Sequence, residues 1–361
     1  MSSMKSGAAF ALFIAGLALA STSVTVAGQV PSESWSHAAA LERDYPATHD
    51  VLIRLERAQG VAFGQLALEG AAVRARGEGR PDFEDDLVGR LTALVGEAGT
   101  AESLAAESAA GYAALGRRAA EVIAWANAFY REAVGILVDP TVADRRAALS
   151  VAVSRYQSRP EVALPGAPKD MDVLYDHRQA LVFRTLYPDL DGLIWAGQWL
   201  KLAATEPLTD FPGRDERAAG LDTVTNRYYS KLSYGEPPQF FPSQVPLAPT
   251  IAPGVIYLSP ESAMIWDNLS MMQEVLSDIL ASPEVPDVRA ALDETVEYFL
   301  DPTRRMTERG DWESMALQHG IFFQGGYPLA VMTGNERNTG GHADHLEAEG
   351  GPVVMPVMPL N

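Results

Sequence analysis

Apolar positions recur at three- and four-residue steps along most of this chain, the spacing that places them on one face of an α-helix. From Thr48 the series Val51, Leu52, Leu55, Ala58, Val61, Ala62, Leu66 and Leu68 predicts a long helix, with Thr48 or Asp50 as its cap and Gly77 and Gly79 as its end. A second helix opens after Pro81 at Asp82-Phe83-Glu84-Asp85-Asp86, where carboxylates in the first turn complement the helix dipole. Residues 101–136 are alanine-rich and carry Leu104, Leu115, Val122, Trp125 and Phe129, which predicts one continuous helix. Asp139-Pro140 breaks it, and Thr141 or Asp144 starts another that runs to about Ser158. Pro160 to Pro168 reads as a linker.

Helices are predicted again at about 170–186 and 190–205, divided by Pro188. Residues 207–260 differ, with 9 prolines accompanied by Tyr228, Tyr229, Tyr234, Phe240 and Phe241. That composition predicts an ordered loop packed on the helices, with a short strand at Val255 to Leu258. Helices resume at about 260–282, 286–300 and 303–319, and a glycine-rich flexible tail follows over 334–361. Strand alternation is scarce and no strand–helix–strand rhythm is present, so the fold class is all-α. The expected architecture is a multi-helix bundle, either one large bundle or two smaller ones over 28–160 and 161–333. No internal repeat at a fixed period is evident.

The N-terminus changes the picture of where the chain goes. Lys5 precedes an uninterrupted apolar run from Ala8 to Ala20, followed by the small-residue patterns Ala18-Leu19-Ala20 and Thr25-Val26-Ala27. This is the three-part pattern of a secretory signal peptide, expected over 1–27. Its 13 apolar residues, at about 1.5 Å each, are too short for a roughly 30 Å bilayer core. No later stretch is long and apolar enough to span a membrane, so no transmembrane segment is expected in the mature chain. The arginine-rich, alanine-rich composition suggests a bacterial periplasm.

Charge and cysteine content narrow the chemistry. The chain has 47 acidic and 28 basic side chains, a net charge of −19, and losing Lys5 with the leader takes it to −20. Nucleic acid needs a basic footprint, so it is excluded as the main partner. Cys is absent, which removes disulfides, thiolate metal sites and c-type haem attachment. Phosphate-loop, dinucleotide-binding, zincin and nucleophile-elbow motifs are all missing, so no nucleotide cofactor is expected.

Four groups of residues are candidates for function. Eight methionines fall between 264 and 358, with His319, His342 and His345 in the same region. Thioether and imidazole donors suit copper, and His342, His345, Met355 and Met358 form the most compact set. Met315 and His319, four apart on one helix face, are a second pair. His177 shares an expected helical face with Leu174 and Leu181, and with Asp176 and Arg184 it is a candidate acid–base or anion site. Trp195, Trp199, Tyr228, Tyr229, Phe240 and Phe241 are candidates for a ligand groove. The leading expectation is a periplasmic binding or assembly protein engaging a protein partner or small molecule. A copper-type metal-binding protein is the alternative, and a hydrolase or lyase without a recognised motif is the third.

Overall fold

The computed structural model describes residues 35–96, 101–232 and 245–320, and among these the fold is all-helical. A short α1 (Ala40–Asp44) leads into the 31-residue α2 (Pro46–Arg76), which ends at Gly77 with φ 81°. The helix starts earlier than expected. Pro46 supplies its first turn, while Asp50 lies inside the helix and pairs with Arg54 at 3.0 Å. Next come α3 (Phe83–Gly96), α4 (Ala101–Ala114), α5 (Arg117–Val138) and α6 (Arg145–Gln157). The helix expected to run unbroken over 101–136 is two, because Gly116 adopts φ 99°, a conformation that ends a helix. Asp144 caps α6 as expected, accepting from the Ala147 amide at 2.9 Å.

The second half departs further from the sequence pattern. The helix expected over 170–186 is two single turns, α7 (Val173–Asp176) and α8 (Val182–Leu186), before α9 (Pro188–Ala203). The proline-rich stretch is mostly helical where it is described: α10 (Glu206–Asp210), the 19-residue α11 (Arg214–Leu232), α12 (Ala248–Ile251) and α13 (Pro253–Leu258). Proline lies in the first turn of α9, α10, α12, α13 and α14, where no helical N–H is lost. The strand expected at Val255 to Leu258 is therefore α13. Then follow α14 (Pro260–Ala281), α15 (Val288–Leu300) and α16 (Arg309–Gly320). Buried side chains from α2, α5, α9, α14, α15 and α16 join one apolar cluster around α14.

The structure also reveals an internal duplication that sequence inspection missed. Both α1 and α8 have 5 residues and end on a tyrosine with φ near −139° and ψ 62°, followed by proline: Tyr45-Pro46 and Tyr187-Pro188. Both α5 and α14 have 22 residues. Both α6 and α15 have 13 residues, each capped by aspartate bonded to the third following amide, Asp144 to Ala147 and Asp287 to Ala290. The packing repeats too, with α1 on α2 and α5 in one half and α8 on α9 and α14 in the other. The paired sequences share Pro-x-Val-x-Asp-x-Arg-Ala-Ala-Leu over Pro140 to Leu149 and Pro283 to Leu292, besides the Tyr-Pro pairs, while the rest has diverged, so apolar pattern alone does not expose the repeat.

Candidate functional site

A cleft of about 500 Å³ opens between α14, α15 and residues 173–179. Val275, Ile279, Val285 and Phe299 give it an apolar floor, and all four are buried. Ala290, Glu294 and Tyr298 line the α15 wall. Asp176, His177 and Arg178 line the opposite wall, and Arg304 and Arg305 close one end.

Irregular chain on this wall is held by side chains of the helices. Asn268 on α14 accepts the Lys169 amide at 2.9 Å and donates to the carbonyls of Pro165 and Ala167 at 3.0 and 2.9 Å. Lys169 and Met306 form an isolated antiparallel bridge. The Lys169 ammonium donates to the carbonyls of Asp301 and Arg304 at 2.6 and 2.7 Å and lies 4.8 Å from the Tyr298 ring centroid. Burial pushes its pKa down to about 8. Arg305 pairs with Asp176 at 2.7 Å, tying α7 to the end of the cleft.

The expected trio of His177, Asp176 and Arg184 is not one helical face. α7 ends at Asp176, His177 is extended, and Leu181 is exposed with φ 69°. Three different partners take the three side chains. Asp176 meets Arg305, His177 Nε2 lies 3.0 Å from Asp278 Oδ2, and Arg184 Nε lies 3.9 Å from Asp191 Oδ2. Neither ring nitrogen of His177 has hydrogen-bond geometry, and both are sealed from solvent. His177 thus contributes to the cleft wall without presenting a nitrogen to it. Asp278 Oδ1 accepts the Phe183 amide at 2.7 Å, so one carboxylate meets residues 173–187 at two points.

Behind Asp278 lie two more buried acids, Asp191 on α9 and Glu274 on α14. Burial pushes the Asp191 carboxyl up to about 7; Arg184 opposes the rise, and the charges of Asp278 and Glu84 add to it. Burial also drives Glu274 well above the usual carboxylate range, with Asp191 and Asp278 reinforcing it. Glu274 Oε1 has no hydrogen-bond partner. Sequence reading missed Asp191, Glu274, Asp278 and Arg305. The signal for Glu274 and Asp278 was their place among the apolar positions Met271, Met272, Val275, Leu276, Ile279 and Leu280 of α14. Glu84 lies in the first turn of α3 as expected and also accepts the Asp189 and Leu190 amides at 2.7 and 2.9 Å, capping α9.

The duplicate half treats the same places differently. Its polar group is a matched pair, Arg131 to Glu56 at 2.7 Å, with partly buried His49 nearby. Its groove against α5 and α6 is covered by the chain itself. The Trp35 ring packs 5.0 Å from Trp125 and 6.3 Å from Phe129, with the Arg155 guanidinium 5.1 Å from its centroid. The His37 amide donates to Glu132 at 2.7 Å.

The remaining candidates fall elsewhere. Trp195 and Trp199 are core residues, 3% and 0% exposed, and Tyr228, 0% exposed, lines a small pocket of about 30 Å³ with Leu55, Leu193 and Lys201. Tyr229 packs on that core beside Tyr228, and Phe240 and Phe241 lie outside the described residues. Met264, Met271 and Met272 are buried core residues, and Met315 packs partly buried against the core. The His319 side chain, His342, His345, Met355 and Met358 lie outside the described side chains, and the leader expected over 1–27 and the tail expected over 334–361 lie outside the described residues. Among the described residues no three His, Asp or Glu side chains converge as metal ligands, and no helix is long and apolar enough to cross a membrane. No family model, no curated protein and no solved structure matches this chain.

Proposed function

We propose that this is an exported, periplasmic helical binding protein and that the cleft between α14 and α15 takes a small ligand with an apolar body and charged ends. One observation carries the reading. The groove between α14 and α15 is open over about 500 Å³, whereas its duplicate between α5 and α6 is covered by Trp35 and His37. That volume suits a small organic ligand, which a concave apolar floor with a few polar groups binds best. Exposed Arg178 and Glu294 stand on opposite walls, with no ion pair or hydrogen bond among the described residues to occupy them. A dipolar ligand complements both. The apolar run at Ala8 to Ala20 supports export.

The test is Ala290→Trp, which places an indole in the cleft from an exposed position on α15. A panel of amino acids, short peptides and amphiphilic acids is screened by thermal shift against both proteins. A ligand that raises the Tm of the parent and leaves the variant unmoved supports the cleft. A ligand that stabilises both equally places binding elsewhere.

A further inference from the structure

We propose that the exposed apolar stretch of Tyr175, Leu181 and Leu186, set between Arg178 and the carboxylates that open α3, is a docking surface for a second copy of this chain, related to the first by a twofold axis.

The apolar part is concentrated in one place. Seven large apolar side chains are exposed among the described residues, and three of them, Tyr175, Leu181 and Leu186, fall within residues 175–186. The other four are scattered over α2, α6, α13 and the end of α10. Tight turns keep the three together. The Ala180 amide donates to the His177 carbonyl at 3.1 Å, the Val182 amide to Gln179 at 3.2 Å and the Thr185 amide to Leu181 at 3.0 Å. Tyr175 sits within reach of the Arg184 charge. Leu181 is displayed at a conformational cost, because its φ of 69° is disfavoured for any residue with a Cβ. A non-glycine residue held in that region points to a role beyond folding.

The duplicate half serves as a control. Ala39 caps α1 with φ −85°, where Leu181 caps the equivalent α8 with φ 69°. The same helix is therefore started without a left-handed residue. Asp44 precedes Tyr45 where Leu186 precedes Tyr187, and Asp44 pairs with Arg43 at 2.7 Å. One half finishes this surface with a small residue and an ion pair, and the other leaves two leucines bare. Contiguous exposed apolar surface rimmed by polar groups marks an interaction site.

Charge identifies the occupant. Arg178, exposed and in no ion pair among the described residues, lies just before Leu181 in the chain. At the other end Phe83 packs 5.3 Å from Tyr187, and Glu84 accepts the Asp189 and Leu190 amides. The first turn of α3 therefore stands beyond Leu186, with Asp82, Asp85 and Asp86 all exposed. An apolar centre with a cation at one end and anions at the other complements itself across a twofold axis, which brings each Arg178 to the other copy's α3 carboxylates. Each chain carries a net charge of −19. At about 0.15 M salt the Debye length is ~8 Å, so distant repulsion is largely screened while pairs in contact persist. Three apolar side chains are a small part of the roughly 800 Å² per partner that a stable interface buries, so the dimer is weak and reversible. Arg178 also lines the cleft, so the second copy's carboxylates stand at the cleft mouth.

Sedimentation equilibrium of the full chain without ligand tests this in about 0.15 M salt, over about 5 µM to about 1 mM protein, the range expected of so small an interface. The expected result is a reversible monomer–dimer equilibrium. Leu181→Gly removes the side chain and suits the left-handed φ. It weakens dimerisation at least about tenfold, while the urea midpoint stays level or rises. Arg178→Glu weakens the dimer, as does the pair Asp85→Arg with Asp86→Arg, and the three changes together restore it. A monomer over the whole range, association that continues beyond a dimer, dimerisation undiminished by Leu181→Gly, or a triple charge exchange that restores nothing each overturns the proposal. Ligand binding plays no part in the measurement, so a dimer whose cleft binds nothing, or a monomer whose cleft binds, separates this surface from the cleft reading.

Discussion

Replacing Asp191 by asparagine should make the protein more stable at neutral and alkaline pH, and leave it nearly unchanged in acid. The carboxyl is fully buried, and burial raises its pKa from 3.8 to about 7. At about 1.4 kcal/mol per pH unit, keeping it ionised above pH 7 costs the native state up to ~4 kcal/mol. The native pKa exceeds the unfolded one, so this contribution favours folding fully below about pH 4 and is lost as pH rises to about 7. The neutral amide of the Asp191→Asn protein has no such loss. The opposing effect is Arg184, whose Nε is 3.9 Å from Asp191 Oδ2 and which would lose that partner. Its side chain is 18% exposed, so solvent recovers part of the loss. An ion pair at that separation is also weaker than the desolvation of a sealed carboxylate. The expected net gain is therefore ~1–3 kcal/mol at pH 8 and within ~0.5 kcal/mol of zero at pH 4, read as the difference in urea midpoints multiplied by a common m-value. A variant less stable than the parent at pH 8 would show that the Arg184 pair outweighs desolvation and refute the reasoning. So would a gain that does not change with pH.

Two further substitutions probe the duplication. Gly135→Ala puts a methyl group well inside van der Waals contact of the His37 carbonyl, so residues 35–38 must move; we expect a loss of ~2–4 kcal/mol with a change in Trp35 fluorescence, and an unchanged emission spectrum would contradict the packing. Asp144→Ala and Asp287→Ala remove equivalent caps and should each cost ~1 kcal/mol in chemical denaturation, so a several-fold difference between them would argue that the two helices are not structural counterparts.

Much of the helical layout is local and could be read from the residues. Proline, glycine and capping aspartate act within one turn, so the starts of α6 and α14 and the end of α2 follow from a few neighbours. The segments misread are those where local preference is weak. Alanine-rich sequence allows a helix to continue through Gly116, and only the packing of α4 and α5 on different neighbours requires the break. Residues 170–186 have helical spacing, but Arg305 and Asp278 bind their backbone and side chains and hold two turns in place of one helix. In residues 207–260 the prolines looked like loop formers and are mostly first-turn residues, a distinction that depends on the few positions after each one.

By itself the sequence determined a mainly helical fold, an apolar run near its N-terminus, a net negative charge and the absence of thiol chemistry, because composition and short-range periodicity are properties of residues and their nearest neighbours. Only the tertiary structure decided which carboxylates are sealed together, which groove stays open and which its own chain covers. Asp191 and Glu274 belong to different helices, and their charges matter only once α9 and α14 exclude water from both. The cleft likewise exists because residues 173–179 do not enter the α14–α15 groove as Trp35 and His37 enter its duplicate, a difference set by contacts made across the fold.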